Sequence, residues 1–125
     1  MIDDAAREAQ LFGQVLTDLR PSALAEVLRG RGLDAQRRKS SHFAGGEYVR
    51  VHGRDDAELA MERTDPAHYL VHDAAGDPEA MRHLVRALSA ALTALDLPHR
   101  LELYAEADED ALTERYAHRW TADAG

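Results

Sequence analysis

The side chains in this 125-residue sequence that could do chemistry are seven histidines, 23 carboxylates and four serines, with no cysteine at all. Histidine titrates nearest neutrality and can ligate a metal or move a proton. His68 and His72 have the spacing that would put two imidazoles on one helix face. Asp65-Pro66 precedes them, however, and the surrounding alternation reads as a strand, along which they lie about 13 Å apart, too far to share one ion. No HExxH is present. His52 could pair with Glu47, and His118 with Glu114 or Tyr104, so a histidine–carboxylate pocket is the form a small enzyme or ligand-binding site would take here. The ordinary use of each histidine is as a polar surface or hydrogen-bonded residue.

Ser22, Ser40, Ser41 and Ser89 lie in neither GxSxG nor SxxK. Ser40-Ser41-His42 sets a hydroxyl beside an imidazole, but a nucleophile–base pair is a matter of tertiary geometry, not adjacency. Glu58 and Glu62 share a strand face at a spacing beyond the roughly 5 to 9 Å of glycosidase carboxylates. The absence of cysteine removes disulfides, thiolate nucleophiles and cysteine-bound metal clusters together. Gly45-Gly46 precedes a strand, whereas a phosphate-cradling glycine loop runs from a strand into a helix. Arg37-Arg38-Lys39 is the one concentrated cationic run. It could contact a phosphate or carboxylate, although a charged connector is the simpler reading. The sequence therefore points to no catalytic residue, no cofactor and no metal.

The elements that must position any site alternate between two periodicities. Phe12, Val15, Leu16 and Leu19 fall at helical spacing, and this first helix ends before Pro21. Ser22 can cap a second, shorter helix with Leu24, Val27 and Leu28 on its apolar stripe, and Gly30 and Gly32 offer positive-φ stops. Residues 34–46 read as a flexible connector. Three strands follow, Glu47–His52, Ala57–Arg63 and His68–His72, joined by turns too short for a parallel crossover. Asp77-Pro78-Glu79 is the clearest local signal, a cap followed by proline in the first helical turn. The helix it starts carries Met81, Leu84, Val85, Leu88, Leu92 and Leu95 on one stripe, with Arg82, Arg86, Ser89 and Thr93 on the wetter side. His99–Ala105 reads as a strand. The segment 111–120 fits either a helix, which would bring Leu112, Tyr116 and Trp120 or Arg119 together, or a strand over Arg115–Trp120; the strand is favoured as the hairpin partner of His99–Ala105 across the acidic stretch 106–110.

The expected fold is α+β: two N-terminal helices, a three-strand antiparallel meander, a long amphipathic helix and a C-terminal β-hairpin, in one mixed or antiparallel sheet. The whole chain, 1–125, is expected to be one domain with a frayed C-terminus at 121–125. On this reading Tyr48, Arg50, His52, Glu102, Tyr104, Glu114, Tyr116, His118 and Trp120 point away from the helix-covered face. Tyrosine, tryptophan and arginine combine large contact areas with polar ends, the composition of interaction hot spots.

Lys+Arg of 15 against Asp+Glu of 23 gives a net charge of −8. That balance disfavours nucleic acid and anionic membranes and suits a basic partner. No run approaches the roughly 18 apolar residues of a membrane span, and the acidic start differs from a secretory signal, so a cytoplasmic protein is expected. The leading expectation is a small acidic, non-enzymatic protein-binding protein, such as an inhibitor or immunity-type protein for a basic partner. The alternatives are the histidine–carboxylate pocket and a structural homo-oligomer joined through the aromatic face.

Overall fold

The computed structural model describes residues 10–42, 46–104 and 112–120, with backbone alone at 73, 74, 112 and 113. Its elements are β1 (Gln10–Leu16), α1 (Pro21–Arg29), β2 (Asp34–Lys39), β3 (Glu47–His52), β4 (Glu58–Asp65), β5 (His68–Ala75), α2 (Pro78–Ala94), β6 (His99–Tyr104) and β7 (Leu112–His118). The strands form one seven-stranded sheet in the order β2-β3-β4-β5-β1-β6-β7. Every neighbouring pair is antiparallel. The acidic stretch 106–110, residues 43–45 of the connector and residues 121–125 lie outside the described residues.

The expectation of two N-terminal helices is overturned. The first of them is a strand, β1, and it sits deep in the sheet between β5 and β6. Leu11, Gly13 and Val15 face inward while Phe12 faces out, an alternation that the sequence conceals because its middle inward position is a glycine. The glycine is required by close approach. A Cβ there would stand 2.5 Å from Leu101 Cδ2 and 3.2 Å from Val71 Cβ, on the two flanking strands. Tertiary pairing decides the conformation where the local spacing of apolar residues reads equally well as helical.

The sheet is likewise larger than a three-strand meander. β3, β4 and β5 follow one another as antiparallel neighbours, but as three strands of seven. The expected connector contributes a strand: β2 pairs with β3 from Asp34↔His52 to Lys39↔Glu47 and forms one edge. Only Ala35 of β2 is buried. Arg37, Arg38 and Lys39 therefore charge an edge strand, a common protection against edge-to-edge association.

Two crossovers organise the chain. α1 carries it from β1 to the far edge, and α2 carries it from β5 past β1 to β6. Both helices bury their apolar stripes in one core against the same face: Leu24 and Leu28 of α1, and Met81, Val85, Leu88 and Leu92 of α2, with Val15, Val49, Val51, Leu59, Met61, Val71 and Leu101 beneath. Asp77 caps α2, accepting from the backbone N–H of Glu79 and Ala80 at 3.0 and 3.2 Å. α1 starts differently from expectation. Arg20 is its N-cap residue and supplies no side-chain cap, and Ser22 lies inside the helix. Gly30 ends it in a right-handed conformation, and Gly32 alone of the two glycines has positive φ, at 92°. Ser89 is buried, not on the wet side of α2. No helix among the described residues is long and apolar enough to cross a membrane.

Candidate functional site

The sheet face opposite the helices carries the outward side chains of every strand. No described helix packs on it. Phe12 of β1 is 46% exposed there and is the one exposed large hydrophobic among the described residues. The Arg100 guanidinium, on the adjacent β6, stands 6.0 Å from the Phe12 ring and 5.6 Å from the Trp120 ring, within cation–π reach of both. The Trp120 indole N–H is buried and has no hydrogen-bond partner among the described residues.

Beside this cluster Glu102 accepts from the Tyr104 hydroxyl at 3.1 Å and from Arg115 at 3.0 Å. The hydrogen bond to the Glu102 carboxylate, aided by burial, pushes the Tyr104 hydroxyl above its ordinary pKa. On the other half of the face Arg50 lies 5.3 Å from the Tyr48 ring, donates to the Tyr48 hydroxyl and forms a 2.6 Å ion pair with Glu58. The hydrogen bond it donates to Glu58 holds this guanidinium still further above its usual pKa, against the opposing effect of burial. His52 approaches the other Glu58 oxygen at 3.6 Å, and His72 meets Glu62 at 3.0 Å. The face is thus a lattice of arginine–carboxylate and histidine–carboxylate contacts with an aromatic centre.

Tyr48, Arg50, His52, Glu102 and Tyr104 stand on this face, and Trp120 borders it through Arg100. Tyr48 is only 7% exposed because Arg50 lies over it, so it offers little contact area of its own. Glu114, Tyr116 and His118 are on the helix side. In the β6–β7 hairpin Leu103 pairs with Glu114, Leu101 with Tyr116 and His99 with His118, and directly opposed residues share a face. The expected outward alternation of β7 differs from this pairing by one residue, which moves every side chain to the other face. Tyr116 consequently packs against the core, donates to Glu114 and lies under Arg86, while Arg82 reaches Glu114 at 3.0 Å.

This placement separates the histidines. His52 on β3 and His118 on β7 occupy opposite faces and are five strands apart in the sheet order, roughly 24 Å at ordinary strand spacing. His118 is engaged by Asp96 at 3.0 Å instead. A histidine–carboxylate pocket built on His52 and His118 together is therefore not formed. Among the described residues, no three His, Asp or Glu side chains group in a way that could hold a metal.

One pairing was invisible in sequence. The Ser89 hydroxyl and His99 Nε2 lie 2.8 Å apart, and His99 Nδ1 donates to the Leu97 carbonyl at 2.9 Å. Burial pushes the His99 pKa down, the Leu97 hydrogen bond opposes that, and the nearby His118 adds to the fall. With Nδ1–H committed to a carbonyl, Nε2 is the acceptor and Ser89 the donor. Ser and His together suggest a nucleophile and its base, but both are buried under the sheet, His99 completely. They form a satisfied polar plug in the core.

Among the described residues, two of the cavities lie on the helix side or its margins. One, of about 370 Å³, lies between the α1–β2 turn, the β3–β4 turn and α2, with His52 and His83 among its walls. The other, of about 320 Å³, lies at the start of α1. Comparison with known proteins finds no matching family model, no matching curated protein and no matching solved structure.

Proposed function

We propose that this chain is a small non-enzymatic protein-binding protein that docks a basic partner on its open sheet face. The observation that carries the reading is the exposed Phe12 on that face, within cation–π reach of Arg100, which also meets Trp120, with Glu102 and Tyr104 on the neighbouring strand and no described helix over it. An exposed aromatic with arginine, tryptophan and tyrosine on the same part of the surface is what a binding hot spot needs, a large desolvated centre with a polar rim. The face's carboxylates Glu58, Glu62 and Glu102 are already engaged by Arg50, His72 and Arg115. Attraction of a basic partner therefore comes from the overall charge of −8, which acts on encounter rate, while affinity comes from burying the aromatics.

A photo-crosslinking amino acid at position 12, compared with one at the exposed helix position Ala90, tests this in cells. Crosslinks to a heterologous protein from position 12 alone are expected. Affinity for the purified partner should fall about tenfold or more on Phe12→Ala, as for a central anchor. Crosslinks only between copies of this chain would establish the homo-oligomer in its place. Equal labelling from both positions would remove the face as a docking site.

A further inference from the structure

We propose that the cavity at the start of α1 is a binding site for the phosphate group of a small phosphomonoester. Three arginines line it from three separate elements: Arg20 from the α1 N-cap, Arg37 from β2 and Arg63 from β4. Glu47 is the one carboxylate among the lining residues, and it already pairs with Arg37 at 3.3 Å. The lining thus carries an excess of two positive charges, three arginines less one glutamate, in a chain whose net charge is −8. Arginines kept for solubility spread apart to reduce their mutual repulsion. Here tertiary structure brings them together around about 320 Å³ of space, at the small end of the range for small-molecule sites.

The three arginines differ in how far they are committed. The Arg20 carbonyl accepts from the Leu24 backbone N–H at 2.8 Å, while its guanidinium has no hydrogen-bond or ion-pair partner among the described residues. Arg63 is fixed by donating to the carbonyls of Pro66 at 2.9 Å and Asp18 at 3.4 Å, while its Nε is buried with no hydrogen-bond partner among the described residues. Ser22, next to Pro21, presents a backbone N–H at the start of a helix that has no side-chain cap. A phosphate, with three terminal oxygens and up to two charges, offers three guanidinium groups more acceptor positions and more countercharge than a single carboxylate, with two oxygens and one charge. The cavity exceeds the room a bare ion fills, so the phosphate arrives on an organic group. Glu47 stands ready to accept a hydrogen bond from a hydroxyl of that group.

This site lies on the helix side of the sheet, away from Phe12, and does not depend on the docking reading. Isothermal titration of the full chain with glycerol 3-phosphate, inorganic phosphate and succinate separates the cases. Glycerol 3-phosphate should saturate the protein at submillimolar concentration, inorganic phosphate should bind more weakly, and succinate should not compete. Arg20→Gln and Arg37→Gln alter exposed side chains and should leave the melting curve in place while weakening glycerol 3-phosphate by about tenfold each, the loss of a charge-assisted pair. Phe12→Ala and Arg115→Gln, on the other face, should leave binding unchanged. Binding should strengthen between pH 5 and pH 7, as the monoester loses its second proton near about 6. No saturation by about 10 mM glycerol 3-phosphate, far weaker than the range for specific sites, would overturn the proposal. So would equal binding of succinate, or affinities indifferent to both arginine substitutions.

Discussion

His99 is the residue whose chemistry reaches furthest into stability. It is fully buried, its Nδ1–H is given to Leu97 and its Nε2 accepts from Ser89, and burial lowers its pKa. The folded chain therefore takes up this proton less readily than the unfolded chain, whose histidine titrates near about 6.5. Stability from this group is intact above that value and declines as pH falls through it, because the unfolded state then binds more protons. Urea unfolding should show a lower midpoint at pH 5.5 than at pH 7.5, and the difference should shrink in His99→Leu. An unchanged midpoint in the wild-type chain would contradict this. Ser89→Ala should cost about 1–3 kcal/mol at neutral pH, since it strands a buried imidazole nitrogen without its donor. The pairing is not readable from the sequence, because residues 89 and 99 meet only after α2 ends and β6 returns beneath it. Tyr48, Arg50, His52, Glu102 and Tyr104 were placeable because simple alternation within β3 and β6 fixes their side of the sheet. Tyr116 and His118 were not, since their side depends on a hairpin register that no local residue announces.

Among the elements, α2 was legible because every cue for it is local. Asp77 and Pro78 start it, its apolar stripe repeats through four turns, and Leu97-Pro98 closes the segment. Asp77→Ala should accordingly cost about 1 kcal/mol by thermal or urea unfolding, the usual loss of a good N-cap. β1 and β2 were illegible for opposite reasons. β2 has one buried side chain and little apolar content, so it is a strand only through its ladder to β3. β1 has ample apolar content, but Gly13 occupies an inward position where an alternating pattern would show a hydrophobic residue. The same contact makes Gly13 a sharp test of the element. Gly13→Val should destabilise the fold by about 1–3 kcal/mol or more, as overpacking does, despite valine's preference for strands. A neutral or stabilising effect in urea unfolding would show that β1 is not seated between Val71 and Leu101.

At the scale of the whole molecule β1 is the keystone, the first of the described strands and, among the described residues, the only one laddered to both parts of the sheet. On one side β2 to β5 form a continuous antiparallel run, and on the other β6 and β7 form a hairpin. β5 and β6 each run antiparallel to β1, so they are parallel to each other and have no direct ladder. Such pairing joins residues about 60 and 90 positions apart along the chain, as in Gln14↔Leu70 and Gln14↔Arg100. Non-local contacts of this kind leave no trace in local periodicity, which is why the overall layout escaped the sequence while several of its elements did not. They also make the fold conditional on one short segment. A chain lacking residues 1–16 should show no cooperative unfolding transition, because β5 and β6 are left with unpaired inner edges and the core loses Leu11 and Val15. A synthetic peptide of residues 10–18 added in trans should restore the transition in a concentration-dependent way. The peptide carrying Phe12→Ala should restore it about as well as the wild-type peptide, since Phe12 faces outward, whereas Gly13→Val should not. If the truncated chain unfolds cooperatively with an unchanged midpoint, β1 is an accessory to the sheet and not the strand that unites it.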